Sequence, residues 1–218
     1  MPTFRLSVPA AATMLLIAAP LAAQPSAAAA HADSMYVARA RADSLRRPYT
    51  DADVHFMSGM IGHHAQAIYM SRMAPTHGAS EAVRTLAGRI INAQQDEIGI
   101  MQTWLRDRGK PVPDPVHTAG MPGMEGMHHM MMPGMLTDEQ LQQLDAARGA
   151  EFDKLFLQFM IQHHNGAISM VKDLFGSYGA GQDEVVFKFA NDVSVDQTTE
   201  VARMQRMLAT ILFGQPGQ

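Results

Sequence analysis

Two stretches of this chain carry the same donors one hundred positions apart: Phe56, Met60, His63, His64, Ala67, Ile68 and Met70 recur as Phe156, Met160, His163, His164, Ala167, Ile168 and Met170. A repeated M-x-x-H-H element sets thioether and imidazole groups on equivalent helices, and those donors together suit a soft cation such as Cu(I) or Ag(I). The absence of Cys beside 19 Met sharpens the reading, because thioethers bind soft cations without the disulfide chemistry that an oxidising compartment imposes on thiolates. A third concentration of donors lies between the repeats: Met121, Met124, Met127, His128, His129, Met130, Met131, Met132 and Met135, with His117 upstream. No core accounts for an unpatterned Met-dense tract, whereas a flexible run of thioethers can wrap a low-coordinate Cu(I).

The elements that must hold these groups are helices. A first helix is predicted over about 51–74, stopped by Pro75, and a second from the N-cap Ser80 to about 108, where Gly109 and Pro111 end it. Val83, Ala87, Ile90, Gln94, Glu97, Met101 and Trp104 step by four and three, the spacing of one buried helix face. The last helix, about 182–212, repeats that face at an offset of 103 as Val186, Ala190, Val193, Gln197, Glu200, Met204 and Met207. Thr137 and Gln140 form a capping-box pattern leading toward a third long helix near Glu151, with Gly149 as a break or bend. Each half, 49–108 and 137–213, is then a helical hairpin. Two amphipathic hairpins bury their faces only against each other, so the expected fold is all-α, an antiparallel four-helix bundle in one domain over 49–213. Residues 109–136 are expected to be a disordered Met/His-rich loop.

The same stepping puts His63 and His163 on the buried seams, and a rotation of about 100° per residue sets His64 and His164 at the edge or just outside. Counting the helical rise from each turn places His63 level with Gln94 and His163 level with Gln197. One layer should therefore hold these four, bordered by Glu97, Glu200, Met60 and Met160, with Met101 and Met204 further along. A buried network in which His, Gln and Glu satisfy one another is one reading of such a layer. A metal site is the other, and the Met beside each His pair favours it, since a thioether adds nothing to a hydrogen-bond network. Trp104 is expected in the core. His31, His55 and His77 are expected to be solvated.

A net charge of -4 without any long Lys/Arg run excludes nucleic acid as a partner. Residues 1–32 read as a signal peptide and small-residue spacer, with Arg5 ahead of an apolar run over 10–23 that is shorter than the roughly 20 residues a membrane span needs. Periplasmic or secreted location follows, with no membrane span after cleavage, and 33–48 is a short helix or linker.

The stretch 53–70, ending in MIGHHAQAIYM, and the stretch 149–170, GAEFDKLFLQFMIQHHNGAISM, resemble the two signature segments of domain-of-unknown-function family three hundred and five, which includes CopM-type periplasmic copper-binding proteins. The resemblance spans roughly 49–212. It implies a ferritin-like four-helix bundle, exported, that binds copper through Met and His, and by position it nominates Met60, His63, His64, Met70, Met160, His163, His164 and Met170. Glu97, Glu200, Met101, Met204 and the loop set Met121 to Met135 complete the candidate ligands. The expected function is non-enzymatic: sequestering or transferring Cu(I), with Ag(I) and Cu(II) as further cargo, in copper resistance, with a copper-transfer protein as candidate partner. One alternative is a ferritin-like di-metal oxidoreductase using the His/Glu layer. Only two seam Glu residues are available to it, and Met60 and Met160 stand where a Glu-x-x-His motif would need Glu. The other alternative is a structural or partner-binding bundle without metal.

Overall fold

The computed structural model describes residues 34–39, 42, 48–115 and 132–214, and every long element among them is helical. The signal-peptide stretch and the loop positions 116–131 lie outside the described residues. Residues 34–39, in a unit that ends at Ala40, form a short exposed helical stretch. The unit from Arg41 onward holds five helices: α1 (Asp51–Met73), α2 (Glu81–Asp107), α3 (Asp138–Ala146), α4 (Gly149–Gly176) and α5 (Glu184–Phe213).

Local chemistry sets where these helices start. Thr50 and Asp53 form a reciprocal capping box at α1, and Thr137 and Gln140 form another at α3. Ser80 caps α2, and Asp183 accepts from the Val185 and Val186 N–H groups at the head of α5. Ala147 and Arg148 interrupt the chain between α3 and α4. Gly149 takes φ +60 there and donates its N–H to the His77 carbonyl at 2.9 Å.

The helices pack as two hairpins, α1 with α2 and α4 with α5, and the hairpins meet through α1 and α4. Two apolar clusters result. One gathers Phe56, Met57 and Met60 of α1, Ile98, Met101, Trp104 and Leu105 of α2, Met170, Val171 and Leu174 of α4, and Val186, Phe189, Ala190 and Val193 of α5. The other gathers Met70 and Met73, then Val83, Leu86, Ala87 and Ile90, then Phe152, Phe156, Leu157 and Met160, then Val201 and Met204, with Leu141 and Leu144 of α3 added. Shifting the inner helices by 100 and the outer ones by 103 exchanges one cluster for the other. The halves are therefore related by a pseudo-two-fold, and α1 and α4 run antiparallel.

Two buried carboxylates lock the exchange. Asp53 Oδ1 accepts the Gly181 N–H in the turn of the second hairpin at 2.7 Å, and Asp153 accepts the Ser80 N–H in the turn of the first at 3.1 Å. Trp104 is buried, as expected, and its indole N–H donates to Asp183 Oδ1 at 3.1 Å while Arg108 pairs with Asp183 Oδ2. His77 departs from the expectation of a solvated residue. It is buried, with Nε2 3.0 Å from the Asp145 carbonyl and Nδ1 2.9 Å from Thr76 Oγ1, because α3 closes over the α1–α2 turn. His55 is exposed, and His31 lies outside the described residues.

Candidate metal centre

Between the two apolar clusters the inner helices cross, and there they carry histidine. The His63 and His163 rings face each other across the pseudo-two-fold with centroids 3.8 Å apart. His64 and His164 turn away from that pair toward the outer helix of their own hairpin. His164 Nε2 bonds Glu200 Oε2 of α5 at 2.7 Å, and His64 Nε2 lies 2.7 Å from Glu97 Oε2 of α2, off the ideal hydrogen-bond direction. All four imidazoles are fully buried. This corrects the expectation that His64 and His164 sit at the edge: α1 is covered both by α2 and by α4, so residues 60–68 are buried around the whole helix, and on α4 His164 is buried toward α5, where it meets Glu200.

The tautomers follow from the partners. His63 Nε2 lies 2.9 Å from the Pro133 carbonyl, which can only accept, so Nε2 carries the proton and Nδ1 the lone pair. The Glu200 carboxylate imposes the same tautomer on His164. Nδ1 of His63, His64 and His164 has no hydrogen-bond partner among the described residues, and neither ring nitrogen of His163 has one. Gln94 Oε1 and both amide atoms of Gln197, also buried, lack partners among the described residues too. A closed hydrogen-bond network would have satisfied these atoms.

Burial keeps the pair neutral. The His63 imidazolium is disfavoured first by loss of solvent and then by the neighbouring His64, against the Pro133 hydrogen bond that favours it, so its pKa falls from 6.5 to about 3. His163 is pushed well below its ordinary value, by burial first and by His63 next. The His63 carbonyl opposes that shift without meeting hydrogen-bond geometry. On the outer side Asp196 is raised, first by partial burial and then by Glu97, which places an acidic group beside the two His–Glu pairs.

Thioethers flank the imidazoles on both sides. Met60, Met101 and Met170 lie in the first cluster and Met70, Met160 and Met204 in the second, all buried. Of the central tract, Met132 and Met135 are described, and Met121, Met124, Met127, His128, His129, Met130 and Met131 are not. Met135 and Leu136 are buried, contrary to the expectation that no core reaches this tract. The Gln66 side chain explains it, accepting the Leu136 N–H at 2.8 Å and donating to the Leu136 carbonyl at 3.1 Å. Gly166, opposite, leaves room for the chain: a Cβ there would stand 1.9 Å from the Pro133 carbonyl oxygen. These anchors break the repeat at positions 66 and 166, and that broken symmetry is their only trace in the sequence. No group of three or more His, Asp or Glu side chains is placed to hold a metal ion among the described residues.

Residues 53–208 match the family model described as Domain of unknown function (DUF305). The chain belongs to that family. Its solved relatives include a DUF305 protein from Streptomyces coelicolor, provisionally assigned as secreted, at 30% identity and a TM-score of 0.61 over 77% of this chain and 96% of that one. They also include CopM, solved in Cu(II)-, Cu(I)- and Ag-bound forms. The Cu(II) form is 30% identical with a TM-score of 0.57, covering 72% of this chain and 96% of that one. The Cu(I) form is 26% identical with a TM-score of 0.55, covering 77% and 100%. No curated protein matches the chain. No helix among the described residues is long and apolar enough to cross a membrane.

Proposed function

We propose that this is an exported, non-enzymatic copper-binding protein that sequesters or hands on Cu(I) through Met and His. The observation that carries the reading is the layer of four buried imidazoles, each with an Nδ1 that has no partner among the described residues, set between two groups of thioethers. Unpartnered imidazole nitrogens of that kind, with soft sulfur on either side and no thiolate in the chain, suit Cu(I) and Ag(I), ions with which CopM is solved. Glu97 and Glu200 stand behind the ligands: the Glu200 carboxylate on Nε2 orients His164, as outer-shell partners of metal-bound histidine do, and Glu97 lies beside His64 Nε2 in the equivalent place. His63, His64, His163 and His164 with Met60, Met70, Met160 and Met170 form the inner ligand set, Met101 and Met204 extend it, and the loop donors offer further sites. The four long helices form an antiparallel, ferritin-like four-helix bundle, with export resting on the N-terminal stretch and the provisional assignment of the Streptomyces relative.

Anaerobic Cu(I) titration against a competing chelator tests this. The native protein is expected to take Cu(I) tightly, His63→Ala with His163→Ala to lose the inner sites, and a variant with Leu at the Met positions of 121–135 to keep them. Absence of Cu(I) uptake by the native protein would refute the proposal.

A further inference from the structure

Close to the His layer the surface opens at one end of the inner helix pair and is closed at the other. A groove of about 140 Å³ lies between the head of α1 and the tail of α4, lined by His55, Met132, Pro133, Met170, Asp173 and Ser177 among others. Its pseudo-two-fold counterpart is filled: positions 155, 70, 73 and 77, equivalent to His55, Met170, Asp173 and Ser177, are Leu155, Met70, Met73 and His77, all buried, and α3 packs over that end. The open end therefore places an exposed imidazole, an exposed carboxylate and two thioethers where the closed end has mainly apolar packing.

Inside the groove the two sulfur side chains converge. A Cβ built on Gly59 would meet Met132 Cε at 2.3 Å, Met132 Sδ at 3.3 Å and Met170 Cε at 3.7 Å, so both thioethers cover one point on α1 that only glycine leaves free. Met170 belongs to the same apolar cluster as Met60, one turn before His63. Pro133 is exposed in the groove, while its carbonyl accepts from His63 Nε2. A single peptide thus separates the groove from the His63 ring.

We propose that His55, Met132 and Met170 form a surface capture site for a soft monovalent cation, from which the ion passes along Met170 toward Met60 and the buried imidazoles. This rests on the copper reading and adds to it a point of loading. Two thioethers and one imidazole give the low coordination number that Cu(I) and Ag(I) accept, and Asp173 contributes negative charge at the rim without being a soft ligand. The ion keeps its charge and oxidation state throughout.

NMR of the full-length protein, with Met methyl and His ring signals followed during Ag(I) titration, tests the site. The native protein is expected to show shifts of His55, Met132 and Met170 at the first additions, ahead of His63 and His163. His55→Ala, a change at an exposed position, and Met132→Leu, which keeps the apolar bulk, should each weaken Ag(I) at this site by at least the roughly 10–100-fold that loss of even an outer-shell partner costs. If His63 and His163 respond while His55 and Met132 stay still, or if His55→Ala leaves the Met132 response unchanged, the capture site is refuted and the copper reading stands. If no His or Met signal of the native protein moves, the copper reading fails and the capture site falls with it.

Discussion

His63 meets acid as a fully buried, neutral imidazole. The unfolded chain takes a proton onto this side chain near pH 6.5, the native protein only near 3. Between those values the unfolded state binds more protons, so stability is fully present above about 6.5 and is lost progressively as the pH falls toward 3. The urea midpoint of the metal-free protein should therefore drop from pH 7 to pH 4, and His63→Asn should flatten that slope whatever it does to the midpoint itself. A native midpoint independent of pH would contradict a buried neutral His63. The repeat made the identity of these histidines plain in the sequence, and the count of helical rise put Gln94 and Gln197 among the buried polar groups. The full burial of His64 and His164 was not legible, because a helix wheel shows one face and each inner helix has two neighbours.

At the scale of elements, the segment from Met132 to Leu136 behaves as part of the fold. Gln66 holds it by two hydrogen bonds from α1, and Gly166 admits it against α4. Gly166→Ala should destabilise the protein by about 1–3 kcal/mol, the usual consequence of overpacking, since the new methyl meets backbone and not a side chain that can swing away. Gln66→Ala should cost about 1–3 kcal/mol by stranding the buried Leu136 N–H. Chemical denaturation measures both, and a change below a few tenths of a kcal/mol in either would mean that the segment is not held as described. Helix starts were legible at Ser80 and Thr137 because caps are local chemistry, each bonding within three residues of itself; the Thr50–Asp53 box at α1 is equally local and went unread. The docking of 132–136 was not, since it depends on one Gln and one Gly a hundred positions apart whose meaning appears only when α1 and α4 are side by side.

Over the whole molecule, the hairpins are joined by exchange: each inner helix supplies the carboxylate that holds the other hairpin's turn. Asp53→Ala removes the acceptor for Gly181 and half of the α1 capping box, and should cost about 1–3 kcal/mol; Asp153→Ala, with only the Ser80 N–H to strand, should lie at the lower end of that range. The two sites are at opposite ends of the inner helix pair, so the double variant should be additive within about 0.5 kcal/mol in denaturant melts. A strong coupling would mean that the turns communicate through the His layer.

The two clusters have one more implication. Neither belongs to a hairpin, for each draws on all four long helices, and the rings of His63 and His163 meet on the axis that relates the halves. Two separate copies of a single hairpin could build the same arrangement as a self-complementary homodimer. Such a dimer would have to repeat every feature at both ends. Joining the copies in one polypeptide frees the ends from each other, so that one can be sealed by α3 while the other keeps His55 exposed above the half-buried Met132. Fusion gives this scaffold a front and a back.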